Sequence, residues 1–166
     1  MSSGALEGSS VEETVAFWKR IDDLQRGFTA AAQAMPKLRE RMSGLRQALD
    51  RSQSPPDGLD SEMHALEQEL HDIDVALNGN PSMNQVGEDQ VHGIGTRLFS
   101  AMVGTQFSTY GPTPTHRRSM EIAESEFAAA RARFNALVTE KLPALEDKLR
   151  DAGAPWAPGQ PLPSVE

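Results

Sequence analysis

Nine apolar residues recur at alternating steps of three and four: Ile21, Leu24, Phe28, Ala31, Met35, Leu38, Met42, Leu45 and Leu49. Positions three and four apart share one face of an α-helix, so these nine form a continuous seam. A heptad pattern held for about four repeats is that of a long helix laid against other helices. The seam accounts for most of the apolar residues in the first third of the chain without leaving a pocket. The fold class it predicts is all-α: an elongated antiparallel helical bundle or coiled coil, with two helices of about 40 residues plus two shorter ones.

Start and stop signals divide the chain accordingly. Residues 1–9 read as a disordered tail, 10–153 as one helical bundle domain and 154–166 as an extended Pro-rich tail. Ser10 can cap the first helix, and Glu13 three residues on completes a capping box. Ser52-Gln-Ser-Pro-Pro-Asp-Gly58 stops it near Arg51. Gly27 weakens this helix, and Pro36 removes a backbone donor and predicts a kink. A second helix, from about Leu59 to Asn78, carries the stripe Leu59, Met63, Leu66, Leu70, Ile73 and Leu77 and ends at Gly79. Residues 81–92 are polar and give no clear period. A third helix, Ile94 to Phe107, uses Ile94, Leu98, Met102 and Val91. Thr113 and Pro114 open the fourth, whose seam is Ala123, Phe127, Ala130, Phe134, Val138, Leu142, Leu145 and Leu149. One extra four-residue step near Val138 and the adjacent Pro143 mark a local irregularity there. The first and fourth helices match the second and third combined in length. Three antiparallel legs with a broken middle leg fit that sum, with an up-down four-helix bundle as the alternative.

Composition narrows the chemistry. Aromatic content is 5%, too low for a typical sheet protein, and there is no cysteine, which removes thiol catalysis, disulfides and zinc–thiolate sites. A net charge of −8 repels phosphate backbones, so nucleic acid is not an expected partner. No run is long and apolar enough for a membrane span, and residues 1–10 lack the basic start and apolar core of a secretory signal, so a soluble chain of open compartment is expected. Asp57 to His92 holds nine acids and no Lys or Arg. The second helix therefore carries the acidic excess, either as a docking face for a cation or basic partner or as a solvated face neutralised by Lys37, Arg39, Arg41 and Arg46.

Several constellations of polar residues bear on function. His64, Glu67 and His71 lie on one side of the second helix, but the histidines stand about 10 Å apart along the axis and face away from the apolar stripe. No Glu-x-x-His turn of the di-iron type occurs; Asp89-Gln-Val-His92 comes nearest. Gly93-Ile-Gly-Thr-Arg97 has no strand before it, so it reads as a glycine-rich helix start rather than a phosphate loop. Paired carboxylates for glycoside hydrolysis have no cleft to sit across. No catalytic residue, metal site or cofactor is assigned. The trio His116-Arg117-Arg118 puts positive charge at a helix start, where the dipole disfavours it; an anion or partner contact, or pairing with Glu121, Glu124 or the acids of the 81–92 segment, would compensate. Trp156 is too large to leave wet without reason and is expected to pack on one end of the bundle.

Three runs occur together: Tyr110-Gly-Pro-Thr-Pro-Thr-His-Arg-Arg-Ser-Met-Glu-Ile-Ala123, Leu142-Pro-Ala-Leu-Glu146 and Ala152-Gly-Ala-Pro-Trp-Ala-Pro-Gly159. This stretch, about residues 81–163, resembles the C-terminal helical region of large bacterial sortilin-like β-propeller proteins, commonly labelled glycosyl hydrolases with BNR repeats. Residues 11–78 match only as a coiled-coil lead-in. The propeller itself is missing from this chain, and any hydrolase label in that family refers to it, so nothing catalytic carries over. The resemblance implies a non-catalytic helical interaction or scaffold domain, accessory to a propeller, with His116, Arg117, Arg118 and Trp156 as partner contacts. Protein partners on this reading are the β-propeller domain or a second copy as a homodimer. A fragment of a glycosyl hydrolase-type enzyme and a metal-binding helical bundle are the alternatives.

Overall fold

A computed structural model describes residues 8–52, 55, 57–80, 92–160 and 162. Among these the protein is all-α, with α1 (Val11–Asp50), α2 (Leu59–Asn78), α3 (Ile94–Gln106), α4 (Pro114–Ala136), a π-helical turn (Leu137–Lys141) and α5 (Leu142–Asp151). The two long stretches and two shorter helices predicted from periodicity are present. Contacts group the chain into two compact units, Met1–Ala30 with Val75–Ala129, and Ala31–Asp74 with Ala130–Glu166. The boundaries between these units fall inside α1, α2 and α4 rather than at linkers.

In the first unit α1, α3 and α4 pack around Phe17, Ile21, Leu24, Ile94, Leu98, Ala101, Met120 and Ala123, all buried. The capping box closes reciprocally: Glu13 N–H donates to Ser10 Oγ at 3.1 Å and Ser10 N–H to Glu13 Oε2 at 3.2 Å. Ser9, assigned to the tail on sequence, donates its N–H to Tyr110 O at 2.9 Å. α1 and α4 run parallel, with Arg20 meeting Glu124 and Gly27 meeting Phe127; a Cβ at Gly27 would lie 2.6 Å from that ring. Gly27 therefore serves close helix approach, which outweighs its helix-weakening cost. The α3 stripe differs from expectation. Met102 is only half-buried, and Ala101 and Thr105 take the core positions. Thr105 can do so because its hydroxyl donates to Ala101 O at 2.7 Å. Val91 and residues 81–90 lie outside the described residues.

In the second unit α1, α2 and the stretch from Ala130 through α5 form three legs. Met35, Leu38, Met42, Leu45 and Leu49 face Leu59, Met63, Leu66, Leu70 and Ile73, all buried. Arg39 pairs with Asp74 and Arg46 with Glu67, so α2 runs antiparallel to α1. Pro36 sits on the exposed side of α1, as does Ala32, whose carbonyl loses its helical donor, and the helix continues unbroken through both. α5 ends at Gly153 (φ 70°), with Ala154 N–H donating to Leu149 O and Gly153 N–H to Arg150 O.

The irregularity expected near Val138 is a π-turn, and it changes the seam. Leu137 is fully buried while Val138 is only half-buried. The buried positions read Ala130, Leu137, Leu142, Leu145 and Leu149. A five-residue step from Leu137 to Leu142 would put them on different faces of an α-helix. Widening by one residue, with Leu142 N–H donating to Leu137 O, returns both to the core. Pro143 lacks the N–H that an α-helix would send to Thr139 O, which favours the wider turn at this point. Leu137→Ala is expected to cost about 2–4 kcal/mol and Val138→Ala under about 1 kcal/mol, read by urea denaturation. The reverse order would place the seam on Val138.

Candidate functional site

The basic trio at the start of α4 is used mostly within the first unit. Thr113 caps the helix, and His116 stands at the third helical position. His116 N–H donates to Thr113 Oγ1 and Thr113 N–H donates to His116 Nδ1, both at 3.3 Å. This is a capping box with imidazole in the place usually taken by a carboxylate or amide. The ring fits because residue 104 has no side chain: a Cβ there would lie 2.1 Å from His116 Nε2. Arg117 donates to Ser9 Oγ at 3.0 Å, pairs with Glu13 at 3.6 Å and lies 6.0 Å from the Phe17 ring centroid. It thus ties the start of α4 to the start of α1. Arg118 pairs with Glu121 on its own helix and stays largely exposed. Of the pairings expected for the trio, that with Glu121 is present, whereas Glu124 is taken by Arg20. The tie to Glu13 was not foreseen, since nothing in the local pattern links residues so far apart in the chain.

In the first unit five large apolar side chains stand in solvent: Val11, Val15, Phe99, Phe107 and Tyr110. Phe107 is 79% exposed. Val11 and Val15 are one turn apart on α1, and the Ser9–Tyr110 hydrogen bond holds the α3–α4 connection beside the start of that helix. The glycines of Gly93-Ile-Gly-Thr-Arg97 serve packing. A Cβ at Gly93 would come within 2.4 Å of Gly79 N, and one at Gly95 within 2.8 Å of the Phe28 ring. They cradle helix backbone and a ring, not a phosphate.

The second unit holds a buried ion pair and a hollow. Arg41 Nε and Nη2 donate to the two oxygens of Glu146 at 2.7 and 2.8 Å, and Glu146 is only 6% exposed. The carboxylate at this distance raises the Arg41 pKa above its ordinary value through the hydrogen bond, with burial opposing. Beside this pair, between α1, α5 and the tail, lies a hollow of about 570 Å³ that also touches Asp147, Arg150 and Trp156. Apolar seam-counting gave no hint of it, because the tail rather than a helix forms its outer wall. Trp156, expected to pack on a bundle end, is about half covered. It is 49% exposed, and its indole N–H donates to Gln160 O at 3.2 Å. Among the described tail residues the neighbouring Ala157, at 1% exposure, is the buried one.

The acids of α2 are matched by cations. Arg46 pairs with Glu67 and Asp60, Arg39 with Asp74, Arg133 with Asp72 and Glu69, Lys141 with Glu69 and Lys148 with Glu62. Arg39 and Arg46 act as expected; Arg41 turns instead to Glu146. The sequence missed the half of the neutralisation supplied by Arg133, Lys141 and Lys148. The two hydrogen bonds from Arg46 hold the Glu67 carboxyl below its ordinary value, with burial opposing. Both Glu67 oxygens are thereby occupied, and His64 Nδ1 lies 3.8 Å from one of them. Among the described residues no three His, Asp or Glu side chains converge as a metal site, and no helix is long and apolar enough to cross a membrane.

No family model, characterised protein or solved structure significantly matches the chain.

Arg41→Ala leaves a carboxylate buried without its partner, so a loss of about 3 kcal/mol is expected. Replacing both partners by apolar residues (Arg41→Met with Glu146→Leu) should recover most of it in a double-mutant cycle. Glu67 stabilises fully above the ordinary carboxylate range, and this contribution disappears as pH falls through its lowered native value. The melting-temperature gap between the wild type and Glu67→Gln should therefore close on acidification below about pH 4. His116→Ala should cost about 1 kcal/mol, and His116→Gln, which keeps an acceptor at the same position, should restore part of it.

Proposed function

We propose that this chain is a non-catalytic helical interaction domain, an accessory to a sortilin-like β-propeller. The observation that carries this reading is the exposed apolar group in the first unit, Val11, Val15, Phe99, Phe107 and Tyr110. Exposed side chains of this size mark protein-binding surfaces where they cluster, and four of the five, Val11, Val15, Phe107 and Tyr110, lie at the start of α1 and in the α3–α4 connection. The capped start of α4 supports the reading in a second way. His116 and Arg117 fix the turn from which Tyr110 projects, and on this view they present the contact surface rather than touch the partner. Arg118 and Trp156 are exposed and keep the role of contact residues. The tethering of Ser9 to Tyr110 gives the surface a defined conformation before binding, which lowers the entropic cost of association.

The chain should bind an isolated propeller domain of that family in a calorimetric titration. Phe107→Ser and Tyr110→Ser should each weaken binding roughly tenfold while leaving the helical circular dichroism unchanged. Arg117→Ala should weaken it through loss of the tie to Glu13. Equal binding by Phe107→Ser and the wild type would remove the proposal. Light scattering over a concentration series separates binding to a propeller from self-association, which would show as a rise in molar mass.

A further inference from the structure

We propose that His116 is a pH-sensitive latch: its neutral ring fastens the α3–α4 connection to the start of α4, and mild acidification releases it. The latch is a property of the free chain. Its bearing on binding rests on the reading of that connection as part of a contact surface.

The third helical position after an N-cap usually carries Glu or Gln, whose side chain accepts a hydrogen bond at any pH near neutrality. Imidazole in that place behaves differently. A neutral ring has one accepting nitrogen; a protonated ring carries hydrogen on both and accepts at neither. Nδ1 is the acceptor in this cap, taking the Thr113 N–H at 3.3 Å. Protonation sets N–H against N–H at that separation. The other half of the box, His116 N–H to Thr113 Oγ1, does not involve the ring and survives. Acidification therefore undoes the bond between connection and ring while the helix itself stays capped. Histidine is the side chain whose ordinary change of charge falls at about pH 6–7, so a small departure from neutrality suffices.

The surroundings offer nothing to hold a charged ring. The helix start already carries partial positive charge from its free N–H groups. Arg117 and Arg118 follow directly in the chain. Facing the ring, α3 presents Gly104, where a Cβ would lie 2.1 Å from Nε2. Arg97, the one charged residue of α3, stands about two turns from Gly104 and pairs with Glu126. Glu13 of α1 is engaged by Arg117, Glu121 by Arg118, and Glu124 by Arg20. Among the described residues no carboxylate pairs with the imidazole. Tyr110 is the titratable side chain of the connection, and it is exposed. A charged ring accordingly leaves the notch over Gly104 for water. The connection keeps its tie to Ser9 through the Tyr110 carbonyl and loses its tie to the ring.

The test is a titration of the free chain, labelled with ¹⁵N and ¹³C, from about pH 7.5 to about pH 5.5, which spans the imidazole range. At the upper pH the Nδ1 signal of His116 should be that of a nitrogen without hydrogen. On acidification the Thr113 amide proton should move upfield as its bond is lost. The ring signals of Tyr110, the single tyrosine, should move with the same midpoint. Both movements should vanish in His116→Gln, whose amide oxygen accepts throughout the range. Binding of the wild type to a propeller domain should weaken roughly fivefold over the same interval, the equivalent of one lost capping bond, and His116→Gln should bind equally at both ends. Three results on the free chain would overturn the latch: hydrogen on Nδ1 at the upper pH, a Thr113 signal that ignores the titration of the ring, or movement that persists in His116→Gln. Equal propeller binding by the wild type at both pH values would overturn it as a control on the surface. No propeller binding at either pH would sink the proposed function alone, because the latch is read without a partner.

Discussion

Burial of one apolar seam along α1 sets the terms for every other element. A helix as long as Val11–Asp50 has little stability in water beyond what its covered face provides. Phe17, Ile21 and Leu24 in the first unit, and Met35, Leu38, Met42, Leu45 and Leu49 in the second, must each meet apolar atoms from two neighbouring legs. Each fully buried side chain of this size contributes about 2 kcal/mol. This demand explains why α2 carries its own unbroken stripe. It also explains why α3 accepts Thr105 in its core once the hydroxyl is satisfied on its own helix. The sequence from Leu137 to Leu142 likewise departs from α-geometry rather than leave either leucine wet.

Electrostatics works on top of that packing as a register device. Apolar seams alone tolerate sliding by a heptad, because one leucine resembles the next. Bidentate pairs do not slide. Arg20–Glu124 in the first unit, and Arg41–Glu146 and Arg46–Glu67 in the second, each fix two atoms against two. α2 supplies only acids, and the legs on either side supply the bases that meet them. The exposed pairs in this set add little individually. Their contribution lies in excluding wrong alignments.

The element order, the ends of α2 and the α1 and α2 stripes were legible in the sequence because period, caps and breakers agree there. The position of Leu137 was not. From Phe134 to Leu142 is eight residues whether the seam passes through Val138 in two steps of four or through Leu137 in steps of three and five. Spacing cannot separate these, and only the five-residue hydrogen bond that Pro143 favours decides between them. Thr105 was missed because its acceptability depends on one hydroxyl bond, and Met102 was the more hydrophobic choice. At the candidate sites the residue types pointed to the correct neighbourhoods. His116, Arg117 and Trp156 do hold unusual positions. Their partners Gly104, Ser9, Glu13 and Gln160 were hidden, since three of those contacts are long-range and a glycine's contribution is the space it leaves.

The widened turn at Leu137–Lys141 also bears on how chains of this type can change length. It stores one surplus residue in a loop of backbone without disturbing the faces presented on either side. Excising a single position there would shorten the step from five to four and return an ordinary helical face. An insertion or deletion at most other points of the same leg would rotate everything downstream by about 100° and expose its leucines. This turn is therefore the natural seat for gain or loss of a codon, a tolerated scar in an otherwise length-intolerant segment.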